Sequence, residues 1–430
     1  MNILLIGSGG REHALALALS RSPEAGALYA APANPGILTL AQHADIAVSQ
    51  HDSVVKFCKT HHIDLVVIGP EQPLEAGLSD DLRSEGIVVF GPSKRAAQLE
   101  TSKGFAKDFM AKYGIPTAAF RRFTSHQRDE AIAFVNELTS TPIVLKADGL
   151  AAGKGVIIAQ SIPEAISALD EIFGGAFGSA GNEVVIEEFL HGEEASVFAI
   201  CDGERFITLA PAQDHKRAFD NDEGKNTGGM GAFAPAAIVS EDVLAKVEQL
   251  IIKPTLAGMK QDGNPFSGCL FVGLMIDNGE PNVVEFNCRF GDPETQAVLA
   301  VTEGDIANLF LSSALGNLRR ETITNTRNGF ACNVVIASGG YPDAFAKGYE
   351  ITGIEQAEAE DNVTVFHAGT ALNPSGTLVS SGGRVLGVCG RGETLRDAID
   401  NAYSGASHIE FTDKFYRKDI GKKGLTKENL

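Results

Sequence analysis

The first hundred residues alternate short apolar runs with amphipathic segments. Asn2–Ile6 has the pattern of a buried strand, and Arg11–Ser20 places alanine and leucine on one face of a helix. The continuous apolar runs Asp64–Ile68 and Ile87–Phe90 each precede a Gly-Pro pair, which is typical of buried parallel strands that end in a turn. This alternation predicts a doubly wound parallel sheet, with ligands bound at the carboxyl ends of its strands.

The centre of the chain mixes strands with helices. A helix is predicted over Ser102–Tyr113, where Gly114 ends it. Apolar runs predict six later strands, at Pro142–Lys146, Val156–Ala159, Glu183–Phe189, Ala195–Cys201, Leu270–Ile276 and Asn282–Asn287. Asn278-Gly279 lies between the last two, and this dipeptide predicts that they form a hairpin.

Other segments have different patterns. Residues 213–233 are charged and glycine-rich, and we expect them to be irregular, whereas Ser240–Lys260 and residues 301–318 are helical in pattern. A strand-rich segment begins near residue 328 and ends with an amphipathic helix over Glu393–Tyr403. The last dozen residues, rich in lysine and glycine, predict a frayed tail.

Composition narrows the class of protein. A chain of 430 residues exceeds one ordinary core, and roughly three domains of 100–200 residues are expected. The net charge of −19 argues against binding to nucleic acid or to an anionic membrane, because neither is drawn to an acidic surface. Any phosphate site must therefore be built locally from lysine, arginine and backbone N–H groups.

Cysteine usage and the N-terminus indicate a cytoplasmic protein. The six cysteines are scattered without a Cys-x-x-Cys pair, so reduced thiols are the economical interpretation. The chain begins directly with an apolar strand and shows no basic segment of a signal peptide. No apolar run approaches the roughly 20 residues that a membrane span needs.

Residues 285–296 form the most informative string, Glu-Phe-Asn-Cys-Arg-Phe-Gly-Asp-Pro-Glu-Thr-Gln. Because side chains two apart share one face of a strand, Glu285, Asn287 and Arg289 should point the same way. Carboxylate and amide oxygens suit Mg²⁺ or Mn²⁺, and arginine can bind a carboxylate or phosphate through two hydrogen bonds. With Asp292 nearby, the string predicts a site where a nucleotide phosphate meets an acidic substrate. The alternative is a half-buried strand that ends in a polar turn.

A glycine-rich loop over residues 146–155, Lys-Ala-Asp-Gly-Leu-Ala-Ala-Gly-Lys-Gly, is the second candidate. Its N–H groups and the ammonium groups of Lys146 and Lys154 could close over a triphosphate. It is not a Walker A loop, since no serine or threonine follows Lys154. A mobile surface loop with solvated lysines is the alternative.

A third candidate is the turn Gly7-Ser-Gly-Gly-Arg-Glu-His13, which joins the first strand to the first helix. Backbone N–H groups at such a helix start bind anions. A dinucleotide fingerprint would need glycine where Glu12 stands, so a carboxylate would face the pyrophosphate. A single phosphate held at the turn, with Arg11 nearby, and a tight turn without a ligand both stay open.

Together these strings resemble the glycinamide ribonucleotide synthetase (phosphoribosylamine–glycine ligase) family of the ATP-grasp superfamily. The resemblance extends from the Gly7 turn to the C-terminus, through Gly69-Pro-Glu-x-Pro-Leu74, Gln213-Asp-His-Lys-Arg217, Asn226-Thr-Gly-Gly-Met-Gly231, the string at 285–296 and Arg417-Lys-Asp-Ile-Gly421. Their shared order and spacing make the resemblance specific.

The resemblance implies a multidomain α/β fold. It places an N-terminal doubly wound domain at 1–102, an ATP-grasp domain at 103–300 with a lid at about 121–190, and a small α+β domain at 328–422. It implies that glycine, 5-phosphoribosylamine and ATP are converted through glycyl phosphate into glycinamide ribonucleotide, ADP and phosphate in purine biosynthesis. Mg²⁺ or Mn²⁺ would assist, and a monomer is the family expectation.

The resemblance also implies which residues bind ATP. The backbone around Glu187 would pair with adenine, and Glu194 would accept the ribose hydroxyls. The predicted ATP set is Lys103, Lys146, Gly153, Lys154, Gly155, Glu187, Glu188, Leu190 and Glu194. From residue types alone, the four glutamates of 187–194 would be a solvated acidic edge.

The remaining roles are assigned in the same way. Glu285 and Asn287 would bind the metal, and the catalytic residues would be Arg289, Lys146 and Asp292. The predicted substrate contacts are Gly9, Gly10, Asp214, Lys216 and Arg289. A surface histidine is the alternative for His215, and no general base is assigned.

Two departures from the family pattern and two rival functions bear on this interpretation. The strand at 270–276 is uncharged, so either Asp277 serves as a metal ligand or fewer protein ligands hold the metal; Lys225 stands where proline is expected. Another ATP-grasp ligase should lack the strings at 213–217 and 289–296. A non-catalytic nucleotide-binding or dinucleotide-binding protein need not keep the metal, arginine and lysine residues together.

Overall fold

The computed structural model of the chain describes residues 1–149 and 155–425. The N-terminal elements are β1 (Ile3–Gly7), α1 (Gly10–Ser20), β2 (Leu28–Pro32), β3 (Gln42–His43), α2 (His51–Thr60), β4 (Leu65–Ile68), α3 (Glu71–Ala76), α4 (Leu78–Ser84), β5 (Val89–Phe90) and α5 (Gln98–Thr101). The strands form one parallel sheet in the order β3-β2-β1-β4-β5. Its order reverses between β1 and β4, where ligands of such sheets bind, so the turns after these strands are placed to form a site.

The next segment, residues 103–188, forms an antiparallel sheet that packs against two helices. Its elements are α6 (Lys103–Tyr113), β6 (Phe120–Thr124), α7 (Arg128–Glu137), β7 (Ile143–Ala147), β8 (Val156–Ala159), α8 (Ile162–Glu171) and β9 (Glu183–Glu188). The strands pair in the order β6-β9-β7-β8. Their alternate apolar side chains pack with α7 and α8 into a separate core that includes Phe123, Leu145 and Ile186.

A second antiparallel sheet follows directly in the chain. The elements of this part are β10 (Glu193–Asp202), β11 (Phe206–Thr208), β12 (Gln213–Asp214), β13 (Arg217–Phe219), β14 (Glu223–Asn226), β15 (Gly231–Ala234), α9 (Glu241–Val247), α10 (Lys253–Gln261), β16 (Ser267–Asp277), β17 (Glu280–Asn287) and α11 (Glu294–Ala300). The sheet order is β11-β10-β16-β17. The predicted hairpin is confirmed, since β16 and β17 pair around Asn278-Gly279, and the π-helical Glu248–Ile252 joins α9 to α10 into the predicted long helix.

The C-terminal segment forms a third antiparallel sheet. Its elements are β18 (Glu303–Gly304), α12 (Ile306–Ala314), β19 (Ile323–Asn325), β20 (Phe330–Ser338), α13 (Ile354–Glu358), β21 (Val363–His367), β22 (Thr370–Leu372), β23 (Leu378–Ser380), β24 (Arg384–Gly392), α14 (Leu395–His408), β25 (Lys414–Phe415) and α15 (Lys422–Leu425). The sheet order is β12-β15-β20-β24-β21, with β25 on β20. Through β12 and β15, residues from the middle of the chain therefore pair with the C-terminal strands.

Two predictions about irregular segments are wrong. Residues 213–233 contain four short strands, because they pair with one another and with β20 rather than with sequence neighbours. The predicted frayed tail is packed in part, since Ile420 is fully buried in the core of the C-terminal sheet and α15 follows it.

The predicted α/β class is confirmed, with a parallel N-terminal sheet, two central antiparallel sheets and a C-terminal sheet. The predicted domain boundaries remain predictions. All six cysteines are buried and unpaired. No helix within residues 1–149 and 155–425 is both long and apolar enough to cross a membrane.

Candidate active site

A cleft lined by strands of both central sheets collects most of the predicted ATP residues. Apolar side chains line part of it, namely Val144, Val156, Ile158, Leu190 and Met275. Charged side chains line another part, namely Lys146, Glu187, Glu188, Glu194, Lys216 and Glu285. An apolar slot that continues into charged groups suits a flat aromatic base joined to phosphates.

Strand β7 carries Lys146 into this cleft. Its side chain is buried, its Nζ donates to the carbonyl of Val284 at 3.0 Å, and the same atom lies 3.0 Å from Oε1 of Glu187. Gly155, just before β8, accepts a hydrogen bond from the N–H of Ala147 at 2.8 Å. The predicted phosphate residues Gly153 and Lys154 lie outside the described residues.

The glutamates at the facing ends of β9 and β10 differ in exposure. Glu187 is 4% exposed and lies between two lysines, so it is not part of a solvated edge. Glu188 accepts from the N–H of Ala119 at 2.9 Å. Glu194, the predicted ribose acceptor, pairs with Lys216 at 2.7 Å.

Glu285, Asn287 and Arg289 share a face, as predicted. Nδ2 of Asn287 donates to Glu285 at 3.4 Å, and the Arg289 guanidinium donates to Oδ1 of Asn287 at 3.3 Å. Burial acts to raise the pKa of Glu285, but Lys216 and the predicted ATP residue Lys103 are among the cations that hold it down at about 2. Glu285 is therefore a carboxylate at neutral pH.

Arg289 is held by two acids of the N-terminal part. Its Nη2 lies 2.9 Å from Glu100, whose other oxygen accepts from the N–H of Cys288 at 2.7 Å. Its Nε lies 3.5 Å from Glu71, which follows β4. Burial acts to lower the pKa of Arg289, and Glu100, Glu71 and Glu285 together raise it above its ordinary value.

Asp292 lies where three parts of the chain meet. Arg384, at the start of β24, lies 3.2 Å from its carboxylate, and Gln296 donates to it at 2.9 Å. A Cβ built on Gly9 or Gly10 would fall 3.6–3.7 Å from the same carboxylate. Burial acts to raise the pKa of Asp292, but Arg384 is foremost among the groups that hold it below its ordinary value.

The glycine turn after β1 is occupied by its own glutamate. Glu12 accepts from the N–H of Gly9 at 2.6 Å and from Nε of Arg11 at 2.5 Å. Arg11 also donates to the carbonyl of Phe290, and its side chain is buried. The Gly9 N–H and the Nε of Arg11 are thus both paired with Glu12 in this structure. A phosphate at the turn, and the contacts of Gly9 and Gly10 with substrate, stay predictions.

Three family models match nearly the whole chain. They are described as phosphoribosylglycinamide synthetase N domain (residues 1–100), ATP-grasp (A) domain (residues 101–295) and C domain (residues 331–423). The chain belongs to the phosphoribosylglycinamide synthetase family.

Members of this family are similar over their full length. The phosphoribosylamine–glycine ligase of Rhizobium meliloti is 50% identical over 428 residues, with 100% of both chains covered. That of Chlorobaculum tepidum is 46% identical over 429 residues, covering 99% of this chain and 100% of the relative. The crystal structure of the Thermotoga maritima phosphoribosylamine–glycine ligase is 37% identical with a TM-score of 0.85, covering 97% of this chain and 100% of that one.

More distant structures share the fold alone. Biotin carboxylase of Campylobacter jejuni has a TM-score of 0.71 at 17% identity, with 96% of this chain and 92% of that chain covered. This likeness shows a shared fold and says nothing of the substrates of this chain.

Asp214 and Lys216, the predicted substrate residues of the string at 213–217, lie near Glu194 and Glu285. Burial raises the pKa of Asp214 to about 6, with Lys216 opposing the shift and Glu194 adding to it. His215 between them is 1% exposed, which rules out the alternative of a surface histidine. Burial, with two nearby cations, lowers its pKa to about 3, and neither ring nitrogen has a hydrogen-bond partner among the described residues.

The two predicted metal ligands fit an ion that is shared with phosphates. Asp277 pairs with Glu280 at the hairpin turn, whereas Glu285 pairs with Gly273. Asp277 therefore lies about 13 Å along the strand from the level of Glu285, too far to bind the same metal ion. Mg²⁺ is commonly held by one or two protein oxygens together with phosphates and water, which suits Glu285 and Asn287. The described residues contain no group of three or more His, Cys, Asp or Glu that could hold a metal.

Sequence reasoning missed three side chains that hold the predicted ones. Glu100 pairs with Arg289, Arg384 with Asp292, and Lys107 with Glu187. Glu100 and Lys107 lie in segments with an ordinary helical pattern, and Arg384 is 92 residues from Asp292. No local signal marks them, since each depends on contacts far along the chain.

Proposed function

We propose that the cleft catalyses the ATP-dependent ligation of glycine to 5-phosphoribosylamine, giving glycinamide ribonucleotide, ADP and phosphate in de novo purine biosynthesis. Membership of the phosphoribosylglycinamide synthetase family supports this reaction. The single structural observation behind it is the line of Glu285, Asn287 and Arg289, which begins at Glu285 in the charged part of the cleft.

The reaction proceeds in two displacements. A carboxylate oxygen of glycine attacks the γ-phosphorus of ATP, the bond to the β-phosphate oxygen breaks, and ADP leaves with glycyl phosphate in place. The amine of phosphoribosylamine then attacks the glycyl carbonyl, the carbon–oxygen bond to phosphate breaks, and the nitrogen loses a proton. Holding three reactants together replaces an unfavourable encounter in solution.

The cationic groups of the cleft stabilise charge during these steps. Lys146 binds the phosphates of ATP, and Lys103 adds positive charge near Glu285. Arg289 holds the glycine carboxylate or the transferring phosphoryl group, because its fork matches either anion. Glu285 and Asn287 would hold Mg²⁺ or Mn²⁺, which supplies neutralisation of phosphate charge when bound.

Phosphoribosylamine would bind where the three parts of the chain meet. Gly9, Gly10 and Asp292 lie together there, and a side chain at either glycine would fill the space between them. Lys216 lines the cleft, and Asp214 of β12 lies within electrostatic reach of Lys216, Glu194 and Glu285. Asp292 orients the amine through its carboxylate, which its cationic neighbours keep ionised.

ADP release by the purified protein tests this function. The assay contains ATP, Mg²⁺ and glycine, with or without phosphoribosylamine formed in situ from ribose 5-phosphate and ammonia. ADP formation that needs both substrates, with glycinamide ribonucleotide detected by mass, is expected. Formation of ADP without either dependence would contradict the proposal and favour another ATP-grasp ligase, to be found by screening other carboxylates and amines.

A further inference from the structure

A buried lysine, Lys107, lies behind the residues that line the ATP cleft. Lys107, in the middle of α6, is 2% exposed, and it is not among the described residues that line the cleft. Its Nζ donates to Oγ1 of Thr117 at 2.7 Å and lies 3.0 Å from Oε2 of Glu187. The other oxygen of Glu187 lies 3.0 Å from Nζ of Lys146. One buried carboxylate thus bridges two buried ammonium groups.

The charges in this line do not cancel. Two ammonium groups and one carboxylate leave one positive charge, and the end that reaches the cleft is Lys146. Oε1 of Glu187 is in contact with Lys146 but is not aligned for a hydrogen bond with it. Without Lys107, the carboxylate of Glu187 would neutralise the positive charge of Lys146, because opposite charges this close interact strongly away from water.

We propose that Lys107 is a positioning residue of the ATP site: by pairing with Glu187, it leaves the charge of Lys146 free to bind nucleotide phosphates. The inference rests on the proposed function, which places those phosphates at Lys146. It also explains why Glu187, near the end of β9, is buried between two lysines rather than turned towards water.

The same arrangement makes ATP binding sensitive to alkaline pH. The charged groups that face Lys107 are Glu187 and Glu188 of β9 and Lys146 of β7. Its ammonium group also donates to Thr117 and to the carbonyl of Ala118, and it lies over the Phe120 ring. Burial lowers the pKa of Lys107 to about 8, although Glu187 raises it, and Lys146 lowers it further. As pH rises through this value, Lys107 loses its charge and Glu187 compensates Lys146.

The test is the dissociation constant of Mg·ATP, measured by calorimetry from about pH 6.5 to about pH 9.5. Lys107→Met is expected to weaken binding about tenfold at pH 7 and to remove the alkaline loss, while Lys107→Arg keeps both the affinity and the charge at high pH. Lys112→Met is the matched control, since Lys112 lies on the same helix but is exposed and pairs with Asp262. It should bind Mg·ATP like the unmodified protein.

Lys146→Met separates this inference from the proposed function. If Lys107 acts through Lys146, adding Lys107→Met to Lys146→Met causes no further loss of affinity. Full affinity in Lys107→Met with weak binding in Lys146→Met would overturn the inference and leave the proposed function intact. Full affinity in Lys146→Met would overturn the placement of ATP itself. Should Lys107→Met not fold, an alkaline loss that persists in Lys107→Arg overturns the inference.

Discussion

At the scale of single residues, the candidate site is a set of ionised groups whose partners come from distant parts of the chain. Arg289 is shared by Glu100 and Glu71, and Glu285 is surrounded by cations. Removing one member of a buried ion pair leaves the other as an uncompensated buried charge, which is destabilising. Each substitution therefore affects its partner as well as the residue that is replaced. Conservative replacements are therefore the informative ones.

Arg289 is predicted to act on the transferred group more than on ATP. Arg289→Ala should lower kcat by at least about a hundredfold, as loss of a charge-stabilising donor does, with a much smaller change in the Kd of ATP. Arg289→Lys keeps a charge beside Glu100 but loses the fork, so it should fold normally and still turn over slowly. Rapid-quench turnover and ATP calorimetry measure the two effects.

The exposed Arg319→Ala is the control for loss of one positive charge in this comparison. An equal fall in ATP affinity, with turnover of bound ATP retained, would show that Arg289 binds the nucleotide and not the reacting group.

Glu294 is predicted to make stability depend on pH. Burial, with Asp214 adding to it, raises its pKa from 4.5 to about 8. The folded state therefore holds a proton that the unfolded state releases, so unfolding becomes easier as pH rises from about 4.5 to about 8. Glu294→Gln should match the unmodified protein in Tm at pH 5 and exceed it at pH 9.

Thermal unfolding at several pH values measures this difference, with the exposed Glu137→Gln as control. A Tm difference between Glu294→Gln and the unmodified protein that is constant from pH 5 to pH 9 would contradict a titrating Glu294.

At the scale of secondary-structure elements, the sequence predicts what local pattern encodes and misses what tertiary pairing decides. The hairpin of β16 and β17 was predictable because Asn278-Gly279 fits its turn. The strands of residues 213–233 were not, because they are two to four residues long and are paired by β20 and each other. The shared face of Glu285, Asn287 and Arg289 followed from strand periodicity, whereas Glu100 and Lys107 had no local signal.

Gly192 is predicted to control the connection between the two central sheets. Its φ is +129°, and a Cβ there would lie 2.4 Å from the carbonyl oxygen of Ile276. Gly192→Ala combines a strained backbone with a clash, and it should cost more than the roughly 1–3 kcal/mol of strain alone. Gly279→Ala is matched, since its φ is +79° and nothing lies within 4 Å.

Urea unfolding measures both variants, and Gly192→Ala should also weaken ATP binding because residues on both sides of it, from 188 to 194, line the cleft. Equal midpoints for the two variants would show that the contact with Ile276 relaxes without cost.

At the scale of the whole molecule, the N-terminal and C-terminal sheets both complete a site built on the central ones. Glu71 and Glu100 reach Arg289 from the N-terminal part, and Arg384 reaches Asp292 from β24. The predicted α/β class needed only the order of strands and helices. The convergence of distant side chains was not predictable, because sequence pattern sets which face of an element is buried but not which element packs on it.

Arg384 is the side chain through which the C-terminal sheet is predicted to affect turnover. It donates to the carbonyls of Gly228 at 2.6 Å and Asp292 at 2.7 Å, and lies 3.2 Å from the Asp292 carboxylate. Arg384→Gln releases all three contacts, so kcat should fall between about tenfold and a hundredfold through misplacement of reacting groups. The Kd of ATP should not change, because the cleft is lined by the central sheets together with Asn226 and Thr227. Arg396→Gln, an exposed change in α14, should leave both constants unaltered, and a fall in ATP affinity in Arg384→Gln alone would show that the C-terminal sheet shapes the nucleotide cleft instead.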